Sequence, residues 1–141
     1  MNDPKFLVAL AQLLVSIVAA IWLAIYWNRR SEKRDEIRLL DESYSKLLET
    51  YQTNPQFGNR RYTNNYTSAF QDSALQYHYF AMSVHNVMES IFDTYESNIP
   101  PAWDHVFSYH TLLHLEWLLT NPEAHEPDYV GHVMSLHKRA A

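Results

Sequence analysis

The sequence predicts an all-α protein: one N-terminal transmembrane helix continuing into a small cytoplasmic bundle of about four helices. Three observations carry this. Residues 6–27 form an apolar run without charge, the remainder repeats apolar residues at steps of three and four, and no strand-like alternation of useful length occurs.

The run from Phe6 to Trp27 is interrupted only by Gln12 and Ser16 as clearly polar residues. As a helix it reaches roughly 33 Å, enough to cross a hydrocarbon core of about 30 Å. A cleavable signal peptide fits poorly. Met1 to Lys5 is not a basic leader, and the apolar run continues through Trp27, beyond the small residues Ala19 and Ala20. Residues 1–28 are therefore expected to be an uncleaved anchor with a short outer tail. Arg29, Arg30, Lys33 and Arg34 follow the run closely, whereas only Lys5 precedes it. Positive charge is retained on the cytoplasmic side, which puts the N-terminus outside and residues 29–141 in the cytoplasm. Trp22, Tyr26 and Trp27 are expected at the membrane interface with those four basic residues. Gln12, Ser16, Ala20 and Ala24 fall four apart, a narrow stripe suited to close helix–helix contact in the membrane.

A membrane-proximal helix is expected over 29–53. Its seam, Ile37, Leu40, Tyr44, Leu47 and Tyr51, recurs at steps of three and four, and Asn54-Pro55 stops it. Residues 54–70 lack a period and read as a loop. Residues 71–141 read as a bundle packing with 29–53. Its first helix, about 71–96, has Tyr77, Phe80, Ala81, Val84, Val87, Met88, Ile91 and Tyr95 on one face. Pro100-Pro101 opens the next, about 101–119, whose stripe runs from Trp103 through His110 and His114 to Leu118. A last helix covers about 128–137.

The chemistry-bearing residues are unevenly distributed. Between Tyr62 and His137 there is no Lys or Arg, yet nine acids and all eight histidines lie there. Such an acidic segment repels phosphate backbones, so nucleic acid is not an expected partner. With no cysteine and only two glycines, the chain offers no thiolate metal site or nucleophile and no phosphate-cradling loop. His110 and His114 are four apart on one helical face, as are His85 and Glu89 on the helix before. Those four are the candidate ligands for a metal-binding or metal-dependent hydrolase reading. Against it, Thr111 stands where the zincin motif needs Glu, and neither Glu89 nor Glu116 is followed at three by His. The alternative is that these are partly buried histidines of an aromatic core, hydrogen-bonded to their neighbours. No metal is favoured and no cofactor is expected.

The run YHYFAMSVHNVMESIFDTYESNIPPAWDHVFSYHTLLHLEWLLTN resembles a set of uncharacterised bacterial membrane proteins, each with one N-terminal span and a small helical domain. The resemblance lies in the aromatic-rich helix ending ESIFDTYES, the short turn, and a helix opened by Trp103 and closed by Leu115-Glu116-Trp117. It implies a bacterial inner-membrane location and no catalytic residues. The resulting expectation is a non-catalytic accessory or scaffolding subunit, surrounded by membrane lipid and bound to partner proteins or to copies of itself. A membrane-anchored sensor or immunity-type protein is a further alternative.

Overall fold

A computed structural model describes the chain from Pro4 to Ala140, with side chains described from Gln12 to Ala140. The fold is all-helical: a long N-terminal apolar helix is followed by several packed helices, with no strand among the described residues. The chain divides into two compact units, Met1–Arg38 and Leu39–Ala141.

Helix α1 spans Pro4–Thr53. Its large apolar side chains from Leu13 to Trp27 are all exposed, from Ile17 and Tyr26 at 47% to Val15 at 69%. No proline or glycine interrupts it beyond Pro4, so nothing in the sequence ends the helix before Asn54-Pro55. Among the described residues, one helix is long and apolar enough to cross a membrane. The side chains of the expected outer tail and of residues 6–11 lie outside the described residues.

The second unit begins with the last turns of α1. Leu40 and Leu47 are buried there, and Tyr44 and Tyr51 are half-buried. Residues 54–70, expected as a loop, are instead a succession of single turns. A 3-10 turn over Pro55–Gly58 leads to α2, Arg60–Thr63, and α3, Tyr66–Ala69, with a second 3-10 turn over Gln71–Ser73. The Asn59 side chain accepts the Arg61 N–H and so caps α2. Phe57 is fully buried against the rings of Phe70, Tyr77 and Phe80 at 5.2–5.4 Å, which pins the segment to the core.

Helix α4, Ala74–Thr94, buries Tyr77, Phe80, Ala81, Val84, Met88 and Ile91 of the expected face and His85 besides, while Val87 and Tyr95 are half-buried. It ends where the Ser97 N–H donates to the Phe92 carbonyl at 2.9 Å, a bond that closes a helix C-terminus. Glu96 and Ser97 adopt left-handed φ values of 50° and 62° to make that turn. Non-glycine residues there cost roughly 1–2 kcal/mol each. Pro101 then opens α5, Pro101–Leu113. The expected single helix over 101–119 is broken at His114 (φ −107°, ψ 21°), and α6 continues over Leu115–Thr120. Helix α7, Pro127–Ala140, extends beyond the expected 128–137 and buries Tyr129 and Val133. The core that unites these helices is unusually aromatic, with Trp117, Tyr77, Tyr129, Phe57 and Phe107 all fully buried.

Candidate functional site

The centre of the second unit is polar where a hydrophobic core is normally not. His85 and His114 are completely buried and His110 nearly so, which demands partners for their ring nitrogens. Tyrosine hydroxyls supply most of them. His114 Nδ1 meets Tyr77 Oη at 2.8 Å, and its Nε2 meets Tyr51 Oη at 2.7 Å. The same Tyr51 oxygen lies 2.9 Å from His110 Nδ1, and His110 Nε2 lies 3.2 Å from Tyr44 Oη. Four hydrogen bonds thus join Tyr77, His114, Tyr51, His110 and Tyr44 in one file. The helical spacing explains it: Tyr44 and Tyr51 are seven apart on α1, His110 and His114 four apart at the end of α5, so each pair shares a face.

A second cluster meets the first through the backbone. His85 Nε2–H donates to the His114 carbonyl at 3.1 Å. A carbonyl only accepts, so the proton of this ring is on Nε2, and Nδ1 must accept the Tyr129 O–H at 2.7 Å. His85 also stacks on Trp117, rings 5.7 Å apart. Trp117 in turn donates its Nε1–H to His78 Nδ1 at 3.1 Å. Glu89 accepts from His125 Nδ1–H at 2.8 Å and from the Glu126 N–H at 2.7 Å, fastening the approach to α7 onto α4. The buried His125 Nε2 has no hydrogen-bond partner, and the His125 ring lies 5.5–6.0 Å, centre to centre, from those of His85, Trp117 and Tyr129.

Burial keeps the cluster neutral. It lowers His85 and His110 to about 4 and His114 well below the ordinary imidazole range. It raises the Tyr51, Tyr77 and Tyr129 hydroxyls above the usual phenol range. Half-buried Tyr44 is raised also, by desolvation first and by Tyr109 second.

This arrangement sets apart the four expected metal ligands. His110 and His114 face Tyr51, His85 faces Tyr129 and a carbonyl, and Glu89 faces His125 and the turn before α7. Among the described residues no group of three or more His, Asp or Glu side chains is placed to hold one metal ion. The file of rings ends at a cleft of about 380 Å³ lined by Tyr44, Leu48, Tyr51, Gly58, His105, Val106, Tyr109 and His110. Gly58 approaches Tyr51 so closely that a Cβ would stand 3.3 Å from its ring. Tyr44 and Tyr51 read in the sequence as packing residues; what the pattern does not show is that their hydroxyls face the histidine pair. Tyr77 and Tyr129 carry no sequence cue for such a role beyond their place on an apolar face.

In the first unit, Gln12, Ser16, Ala20 and Ala24 are exposed, and the Ser16 hydroxyl donates to the Gln12 carbonyl at 2.9 Å. Trp22 stacks on Tyr26, rings 6.0 Å apart, and the Arg30 guanidinium lies 5.9 Å from the Trp27 ring. Arg29, Lys33 and Arg34 are exposed, with the Arg34 Nε–H donating to the Arg30 carbonyl at 3.4 Å. Ile37, the first seam residue, is half-buried. Comparison with protein-family models, curated proteins and solved structures finds no match to this chain.

Proposed function

We propose that this chain is a single-pass protein of the bacterial inner membrane, N-terminus outside and helical domain cytoplasmic. In this reading it acts as a non-catalytic accessory or scaffolding subunit that binds other proteins of a membrane assembly. The observation that carries the reading is the exposure of every described apolar side chain of α1 from Leu13 to Trp27. Water is a poor solvent for such a surface, and a bilayer or a neighbouring helix is a good one. Ring pairs at Trp22, Tyr26 and Trp27 beside the basic residues support the interface placement. The aromatic, anchored domain supplies packing surface rather than a nucleophile paired with a base.

The absence of native cysteine makes the test direct. Single-cysteine variants Ser31→Cys and Ala140→Cys are exposed in intact spheroplasts to a membrane-impermeant maleimide, alongside carbonate extraction. The expected result is carbonate-resistant protein, protected at both positions until the cells are lysed, that elutes from mild detergent with a defined partner at fixed stoichiometry. Labelling from outside overturns the orientation, and elution as a lone monomer overturns the accessory role.

A further inference from the structure

Where α1 leaves its apolar run, the charges are sorted by side. At about 100° per residue, Arg29, Arg30, Lys33 and Arg34 fall within roughly 140° of the helix circumference. Trp22 and Tyr26 lie in the same arc, about two turns and one turn earlier, and their rings stack 6.0 Å apart. Glu32, Asp35 and Glu36 occupy the other side of the helix. All of these residues are exposed.

Two of the acids are engaged away from the basic arc. Glu32 accepts the Asn28 side-chain amide at 2.7 Å, and Asp35 lies 3.9 Å from Arg38. None of Arg29, Arg30, Lys33 and Arg34 pairs with a carboxylate among the described residues. Instead, the Arg30 guanidinium stands 5.9 Å from the Trp27 ring, and the Arg34 Nε–H meets the Arg30 carbonyl at 3.4 Å. The result is one cationic face that continues an aromatic stripe, at the level where headgroups meet hydrocarbon if the apolar run spans the bilayer.

We propose that this face docks anionic phospholipid headgroups. Arg29, Arg30, Lys33 and Arg34 donate to phosphate oxygens, and Trp22 and Tyr26 lie against the adjoining acyl chains. The sorting by side is what selects the lipid. A zwitterionic headgroup brings an ammonium together with its phosphate, and this face holds no carboxylate to receive it. Phosphatidylglycerol brings phosphate without that cation. The inference rests on the anchoring reading and adds to it the charge of the lipid.

The test uses the full chain in vesicles of phosphatidylcholine and phosphatidylglycerol, with one or the other brominated in its acyl chains. Bromine quenches Trp22 and Trp27 on contact, whereas Trp103 and Trp117 of the second unit set a constant background. The relative quenching gives the preference between the two lipids. Phosphatidylglycerol is expected to be preferred by about fivefold or more, the effect of one engaged basic residue. In about 1 M salt, where the screening length is about 3 Å, that ratio should fall towards unity. Glu32→Lys with Lys33→Glu keeps the net charge and breaks the one-sided arrangement, so the ratio should drop by about fivefold. Arg60→Gln with Arg61→Gln removes two charges elsewhere and should leave it unchanged. Circular dichroism checks that each variant is helical. Absence of quenching by either lipid overturns the anchoring and this proposal with it. Equal quenching by both lipids overturns the proposal alone. So does a ratio that survives the charge swap, or one that follows Arg60 and Arg61. Collapse of the ratio on adding soluble glycerol phosphate also overturns it, since a free phosphate is then the occupant.

Discussion

The two units of this chain invert the usual relation between polarity and burial. On α1 the residues from Leu13 to Trp27 are, Ser16 apart, apolar and exposed, whereas the domain that follows hides His85, His110, His114 and His125. The difference lies in what each surface has as a partner. The apolar stretch is a plain helix whose backbone bonds are all internal, so nothing polar stands in the way of a hydrocarbon solvent. The histidines are buried because phenols, a carboxylate and a carbonyl meet nearly all of their ring nitrogens. A polar core of this kind holds only while each ring keeps its proton count.

Acid should break that contrast most strongly. His85 and His110 are held neutral by burial, lowered from 6.5 to about 4, and burial lowers His114 also. A folded-state pKa below the unfolded one stabilises above the unfolded value and is lost as pH falls through the folded value. The stabilisation is therefore complete above about pH 6.5 and disappears on approach to pH 4, on the order of 3 kcal/mol for each of His85 and His110. Denaturant unfolding of the full chain in nanodiscs, read by tryptophan fluorescence, should show a midpoint falling steadily across that window. A flat profile would mean the buried rings are already charged or already wet.

The other side of the contrast is sharpened by Val18→Arg, which costs about 2.5–3.5 kcal/mol at the centre of a membrane span. The carbonate-resistant fraction should drop sharply while the melting of the helical domain stays put. Equal loss of both would show that residues 12–27 serve the domain core instead. The smallest effect isolates one hydrogen bond. Tyr129→Phe removes the O–H that His85 Nδ1 must accept and leaves a buried lone pair, expected to cost about 1–3 kcal/mol by denaturant titration. His85→Leu with Tyr129→Phe should then recover part of that loss, since both polar partners are gone together.

Much of this architecture was legible in the residues. The uncharged run, the seam through Leu40 and Leu47, and the stripes from Tyr77 to Ile91 and from Phe107 to Leu118 all follow from periodicity, because packing fixes periodicity. Three features were not legible, each for a physical reason. The turns over 55–73 are three or four residues long, too short for any period to register, and Phe57 rather than pattern holds them in place. The break at His114 carries no proline or glycine and interrupts no apolar stripe. It is set by the tertiary bonds made at that residue. The pairing of histidines with tyrosines spans 37 to 66 positions along the chain, so only the fold brings the partners together. The spacing of His110 and His114 does place both on one face, and that face meets the Tyr51 hydroxyl.

The main-chain oxygen at position 114 is a joint that no codon can edit. It receives both the His85 ring and the Leu118 amide, at 3.1 Å and 3.3 Å, while the imidazole of the same residue holds Tyr51 and Tyr77. Any replacement at 114 silences the ring yet keeps the peptide oxygen, so the tautomer of His85 is insulated from changes in the neighbouring file. Selection can retune one cluster without disturbing the other, provided the kink that aims the oxygen survives.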